Sequence, residues 1–108
     1  MTKIKYILFS ILVNIMILFS SEMKILNGKV YNTKTGEGIP DVNLYIPSQK
    51  LGVATLEDGS FSLNYFPENN LILRVSHIGY ASKRIALNKN IEDLTLALEE
   101  IFFNTEEV

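Results

Sequence analysis

The stretch L-G-V-A-T-L-E-D-G-S-F-S-L, residues 51–63, carries the strongest local fold signal in this chain of 108 residues. Apolar and β-branched residues occupy alternate positions before Glu57 and again from Phe61 onward. An Asp-Gly pair between two such runs is a strong hairpin signal, because glycine takes a positive φ without steric cost and aspartate tolerates it. The stretch therefore predicts two paired antiparallel strands joined by a turn at Asp58-Gly59.

Further strands with the same alternation flank this stretch, separated by turn residues at intervals of about 8–12 residues. Gly28 inside the first strand indicates a bulge or a close backbone approach, and Gly79 indicates a bend. After residue 21 no apolar period of about 3.6 residues is sustained, so no helix is expected there. The spacing predicts a small antiparallel β-sandwich. Its strands are expected at residues 24–32, 42–46, 51–55, 61–63, 71–76, 81–87 and 94–98.

Residues 1–21 have the pattern of a secretory signal peptide, which is expected to be helical. Lys3 and Lys5 give a basic start, residues 6–19 are nearly all apolar, and two serines follow at 20–21. A membrane-spanning helix needs about 20 apolar residues, and this run is shorter. We therefore expect the protein to be exported, with an uncleaved anchor as the alternative.

Composition limits the remaining chain to one small domain. It contains no cysteine, so a disulfide framework and a thiolate metal site are both excluded. Burial alone must therefore stabilise the domain, at a size where folding hides about 60% of the extended surface. Loss of Lys3 and Lys5 with the signal peptide changes the net charge from −2 to −4. A mildly acidic domain has no electrostatic basis for binding nucleic acid.

Six short motifs occur together in one order along the chain, and together they resemble the carboxypeptidase-regulatory-like domain. The resemblance covers about residues 24–98 and implies a transthyretin-like sandwich of seven strands. The motifs lie at residues 27–30, 35–37, 39–44, 52–55, 58–63 and 76–80. Their structural positions in this chain are Gly28, Gly52, Asp58, Gly59, Phe61, Gly79 and Tyr80.

This chain departs from the family pattern at three positions. The family usually has aspartate where Asn32 and Leu56 stand, and it commonly has glycine where Asp41 stands. All three are turn or surface positions, so the departures concern local turn geometry and leave the fold expectation unchanged.

The resemblance also implies a biological setting. In Bacteroidetes, such domains look like the N-terminal extension of TonB-dependent, SusC-like outer-membrane receptors for nutrients and glycans. Residues 22–98 would then be the sandwich, and residues 99–108 an acidic linker toward a plug and barrel. Expected partners are that plug and barrel or a periplasmic protein, at the periplasmic face of the outer membrane or the cell surface. A frayed tail and a free secreted binding or adhesion module, for instance for glycans, remain alternatives.

The residues that could carry chemistry give no enzyme pattern. A zinc-peptidase site needs two histidines and a carboxylate, whereas the chain has only His77, which we expect to pack or hydrogen-bond near a strand end. Glu57 and Asp58 are expected at the turn, with a calcium site as the weaker alternative. No nucleophile elbow or phosphate loop occurs. We therefore predict a non-enzyme without cofactor or metal.

Aromatic residues offer one route to sugar binding. If gathered on one surface, they could form a stacking platform for a glycan. They are distributed over separate predicted strands, so we expect core and cross-strand packing instead. The residues concerned are Tyr31, Tyr45, Tyr65, Phe66 and Tyr80.

Leu56 lies in the predicted hairpin stretch and is also one of the three positions at which the chain departs from the family pattern. It lies close to the predicted turn and is expected to be an exposed contact residue. Replacing it with aspartate, Leu56→Asp, should leave the free energy of unfolding unchanged within about 0.5 kcal/mol and reduce only partner binding. Urea denaturation of the two proteins measures this, and a large loss of stability would show instead that Leu56 is a core residue.

Overall fold

The computed structural model describes residues 2–18, 22–88 and 91–102 and contains one helix followed by seven strands. Among these residues, no helix combines the length and apolar character needed to cross a membrane. Residues 19–21, at the end of the predicted signal peptide, lie outside the described residues. The elements are α1 Thr2–Leu18, β1 Lys24–Asn32, β2 Asn43–Ile46, β3 Leu51–Ala54, β4 Ser60–Tyr65, β5 Leu71–His77, β6 Tyr80–Leu87 and β7 Asp93–Leu98.

The strands form two sheets, and the predicted seven-stranded all-β sandwich is confirmed. One sheet has the order β4-β1-β7 and the other the order β3-β2-β5-β6. Four of the pairings are antiparallel, as expected. The β1–β7 pairing is parallel, which the antiparallel expectation missed. No tight turn joins these two strands, so the direction of β7 is set by the path of the chain around the sandwich.

The core lies between the sheets and is built from alternate residues of the strands. On β4 and β5 the buried and exposed positions alternate as the sequence pattern predicts, because successive side chains of a strand point to opposite faces. The largest fully buried side chain is Tyr65, at the end of β4. The other fully buried side chains are Leu26, Val30, Val42, Leu44, Ile46, Leu63, Leu73, Val75 and Leu98.

The predicted hairpin at residues 51–63 is wrong, although a turn forms one residue earlier than predicted, with Glu57 and Asp58 at its centre and Gly59 at its end. The Gly59 N–H donates to the Leu56 carbonyl at 2.9 Å, and the Leu56 N–H donates to the Ser60 carbonyl at 2.9 Å. Before the turn, the Thr55 N–H donates to the Val42 carbonyl at 3.0 Å, which extends the pairing of β3 with β2. After it, β4 pairs with β1. The stretch is therefore a corner that carries the chain from one sheet to the other.

Gly59 allows this corner to pack against β1. Its φ is +84°, in the left-handed region, and its carbonyl accepts the Val30 N–H at 2.8 Å. A Cβ at this position would overlap the Val30 carbonyl oxygen and would lie 2.8 Å from the Gly38 Cα. Glycine is therefore required at residue 59 by backbone conformation and by space together.

Gly59→Ala should destabilise the sandwich more than the matched variant Gly36→Ala. Both glycines have a positive φ, but nothing lies within 4 Å of a Cβ built at Gly36. We expect a loss of about 1 kcal/mol for Gly36→Ala from backbone strain alone, and of at least about 3 kcal/mol for Gly59→Ala. Urea denaturation followed by circular dichroism measures both, and equal losses would contradict the close packing at the corner.

Candidate functional site

The glycine and the aromatic residue of two family motifs meet in the three-stranded sheet. Gly28 lies opposite Phe61 in the β1–β4 register and opposite Leu94 in the β1–β7 register. A Cβ on Gly28 would lie 2.5 Å from the Phe61 ring and would also overlap the Leu94 carbonyl oxygen. The close backbone approach indicated by the sequence is therefore present, and it lets the Phe61 ring lie over β1 within the core.

Gly52 lies on the outer face of the four-stranded sheet, beside a half-exposed aromatic ring. It pairs with Tyr45, and a Cβ at Gly52 would lie 3.0 Å from the Tyr45 Cδ2. Together with Asn43 and Arg74, these residues line an open depression of about 520 Å³.

Asp58 stabilises the corner by accepting two hydrogen bonds from Ser60, two residues later in the chain. The Ser60 hydroxyl donates to Asp58 Oδ1 at 2.6 Å, and the Ser60 N–H donates to the same atom at 3.0 Å. These two hydrogen bonds, the hydroxyl first, lower the pKa of the Asp58 carboxyl. Within the described parts of the chain, no three His, Cys, Asp or Glu residues lie together in a way that could hold a metal ion.

His77 is hydrogen-bonded and packed in the turn between β5 and β6, as the sequence interpretation expected. Its Nδ1 accepts the Gly79 N–H at 3.0 Å, which stabilises the predicted bend. Its ring lies edge-to-face against Tyr80, with ring centroids 5.2 Å apart. Such aromatic pairs add to stability beyond the area they bury. The only histidine of the chain is thus a structural residue of the turn.

Residues 99–102, which we name the edge segment, follow β7 and run along the beginning of β6. The Ala81 N–H donates to the Glu99 carbonyl at 2.9 Å, and the Ile101 N–H donates to the Gly79 carbonyl at 2.9 Å. Tyr80 and Glu100 form an antiparallel bridge between these bonds. The described part of the acidic C-terminal stretch is therefore attached to the sheet, while residues 103–108, with Glu106-Glu107-Val108, lie outside the described residues.

Asn32 fastens the edge segment to β1, and we name Asn32, Tyr80 and Glu100 the clasp. The Asn32 side chain is buried, and its Nδ2 donates to Glu100 Oε1 at 2.5 Å and to the Tyr80 hydroxyl oxygen at 3.3 Å. Its Oδ1 accepts the N–H groups of Lys34 at 2.8 Å and Thr35 at 3.3 Å. One amide therefore shapes the turn after β1 and holds the segment after β7.

A second contact supports the clasp from the same turn. The Lys34 Nζ lies 5.0 Å from the centroid of the Phe102 ring, which is a cation–π geometry. Phe102 is otherwise 72% exposed, so this ring is held at the surface and is not part of the core. The turn after β1 thus contacts the edge segment at Glu100 and again at Phe102.

The clasp gives a physical account of one departure from the family pattern. An aspartate at position 32 would accept the two turn N–H groups as Asn32 does, but it has no N–H to donate to Glu100. Asp41, where glycine is common in the family, has a φ of +59°, a backbone conformation that glycine adopts with less strain. Leu56 is 66% exposed, as expected for a contact residue.

The structure does not gather the aromatic residues into a platform. Tyr65 is in the core, and no described group hydrogen-bonds its buried hydroxyl. Tyr31 belongs to β1 and Tyr45 to β2, which are in different sheets. Tyr80 is engaged in the clasp. Phe66 follows β4 and is partly buried, so Tyr45 is the one residue of these five that is exposed on a described strand.

Sequence reasoning missed two residues that the structure shows to be central. The sequence places Glu100 in an acidic linker, but its carboxylate accepts a hydrogen bond from Asn32 across 68 positions of sequence. Thr55 was counted as a strand residue, but its buried hydroxyl donates to the Ile39 carbonyl at 2.6 Å and accepts the Val42 N–H at 2.9 Å. The one sequence signal for this role of Thr55 is that a polar β-branched residue stands at a buried position.

The fold and these contacts define the class of the protein as a seven-stranded β-sandwich module with a fastened C-terminal edge. The model of the CarboxypepD_reg-like domain family matches residues 26–108. The chain therefore belongs to the CarboxypepD_reg-like domain family, which is a family of non-catalytic modules. A comparison with curated proteins gives no match to the chain.

Asn32→Asp should loosen the clasp in a pH-dependent way. Two adjacent carboxylates would raise each other's pKa in the folded state, so the folded protein would bind more protons than the unfolded chain. Stability should therefore be lower by about 1–2 kcal/mol at pH 7 and should be regained as the pH falls through the raised pKa. Urea denaturation as a function of pH measures this.

The matched rescue for this variant is Glu100→Gln. A glutamine amide at position 100 can donate to the introduced carboxylate, so the double variant should regain stability at pH 7 and lose the pH dependence. If the double variant stays as unstable as Asn32→Asp, the Asn32–Glu100 hydrogen bond does not carry the effect.

Proposed function

We propose that the chain is the non-catalytic sandwich module that precedes the plug and barrel of a TonB-dependent outer-membrane receptor for nutrient or glycan uptake. The observation that carries this proposal is the clasp. A module that links two parts of a receptor must control how the chain leaves it, and Asn32 and Glu100 fix the segment that follows β7. Export by residues 1–21 and a periplasmic location belong to the same proposal.

The role proposed for the module is contact and orientation. The edge segment is held against β6 by backbone hydrogen bonds and against β1 by the Asn32 amide, so its direction is set by the sandwich. Apolar side chains project from the corner and from the turn between β5 and β6, with Leu56 66% and Ile78 92% exposed. Exposed apolar groups at loop positions are suited to protein contacts, and here they would meet the plug or a periplasmic partner.

The experiment that tests the proposal is to sequence the genomic DNA beyond the codon for Val108. We expect the same reading frame to continue into a plug domain and then into alternating strands of an outer-membrane barrel. If a stop codon follows and no barrel pattern is encoded in that frame, the receptor proposal fails.

A functional measurement on the same receptor then tests the role of the module. Deletion of residues 26–98 should reduce uptake of the receptor's nutrient, while Asn32→Asp should reduce it less and Gly36→Ala should leave it unchanged. The amount of barrel in the outer membrane is the control, since a barrel that fails to assemble would lower uptake for a different reason.

A second candidate function is a secreted module that binds a glycan. The observation that favours it is the depression of about 520 Å³ in which Tyr45 lies beside Asn43 and Arg74. An aromatic face next to hydrogen-bonding groups is suited to a sugar ring. Titration of the chain with a panel of polysaccharides should then show binding that Tyr45→Ala removes, and flat titrations would argue against it.

A further inference from the structure

Strand β3 leaves one side of the four-stranded sheet unpaired within the described structure. It pairs with β2 on one side and with no strand on the other. The opposite edge of this sheet, at the beginning of β6, is covered by the edge segment. The residues of β3 are Leu51-Gly52-Val53-Ala54, with none of the lysines or prolines that proteins place on exposed edges to prevent pairing.

The hydrogen-bond pattern identifies which backbone groups of β3 face away from β2. The Thr55 N–H donates to the Val42 carbonyl, so residue 55 faces β2, and residues that face the partner strand alternate with residues that face away along an antiparallel ladder. Val53 therefore bonds β2, whereas the N–H and C=O groups of Gly52 and Ala54 point outward. These groups could be satisfied by one more antiparallel strand.

We propose that the strand which pairs with β3 is β3 of a second copy of this chain. The two copies would lie antiparallel around a two-fold axis and form one continuous sheet of eight strands. The register that pairs Gly52 of each copy with Ala54 of the other satisfies all the outward backbone groups. A shift toward Lys50 enters a turn with a φ of +53°, and a shift toward Leu56 meets an N–H that already donates to Ser60.

The side chains agree with this register. It places Val53 on the two-fold axis, so that the half-buried Val53 side chains of the two copies would face each other. Beside it, an open groove of about 520 Å³ lies between the sheets and is lined by apolar atoms of Val53, Leu56 and Phe61. A second copy would cover this groove and the exposed Leu56. Gly52 and Ala54 are small, so the outer face offers no steric barrier.

Charge complementarity favours a second copy over an unrelated strand. Lys50 precedes β3 and Glu57 follows it, and both are exposed. In this register Lys50 of each copy lies opposite Leu56 of the other and one residue from Glu57. Lys50 and Glu57 are turn residues outside β3, so the face alternation of a strand does not separate their side chains. Opposite charges across neighbouring strands stabilise pairing, and the symmetry forms this contact twice. The pairing holds whether or not the chain belongs to a receptor, so it is separate from the proposed function.

The absence of cysteine from the sequence makes a direct test available in the full chain. Residues that face each other in a non-hydrogen-bonded antiparallel pair have Cα atoms about 4.5 Å apart, which is within the range of a disulfide. In purified full-length chain oxidised with copper phenanthroline, Val53→Cys should form a disulfide dimer on a non-reducing gel. The matched control is Ser82→Cys, on an exposed position of β6 at the opposite edge of the same sheet, which should form much less.

Charge reversal then tests the partner's identity in the Val53→Cys background. Lys50→Glu should lower the cross-linked fraction about fivefold, and adding Glu57→Lys should restore it. Lys83→Glu, on β6, is the control and should have no effect. Equal cross-linking of Val53→Cys and Ser82→Cys, or failure of the double reversal to restore dimers while circular dichroism shows a folded sandwich, would overturn the proposal.

Discussion

The two sheets depend on a short chain of hydrogen bonds that links β1 to the corner of the 51–63 stretch. Val30 donates its N–H to the Gly59 carbonyl at 2.8 Å, and its own carbonyl accepts the Ile39 N–H at 2.9 Å. The Ile39 carbonyl in turn accepts the buried Thr55 hydroxyl at 2.6 Å. These bonds join one sheet to the other at the point where the chain crosses. A Cβ at residue 59 would overlap the Val30 carbonyl oxygen and lie 2.9 Å from the Ile39 nitrogen, so the bond between these two groups requires glycine there.

The side of the sandwich opposite this corner is closed in a different way. There the edge segment lies against β6, and the Asn32 amide joins it to β1. Asn32 can make this connection because a side-chain amide has both N–H donors and an oxygen acceptor. Its oxygen accepts the Lys34 N–H, and its nitrogen donates to the Glu100 carboxylate. One side of the fold is therefore sealed by polar contacts with the C-terminal segment, and the other is left open at β3.

The sequence predicted local features well and long-range ones poorly. Alternation located most strands, because burial of one face imposes a period of two; β6 is mostly exposed and shows this period only at its end. The turn at Gly59 was also predictable, but whether its flanking strands pair depends on Thr55 and Val42, which are 13 residues apart. The clasp between Asn32 and Glu100 depends on contacts of still longer range, and no local pattern records them.

The parallel alignment of β1 and β7 has a mechanical consequence. Their register runs from Asn27 with Asp93 to Asn32 with Leu98, so the start of β1 and the end of β7 lie at opposite ends of the pair. Tension applied between these two points would slide one strand along the other and load all their hydrogen bonds together. The module would therefore resist stretching as a unit, whereas a hairpin between its terminal strands would unzip one bond at a time.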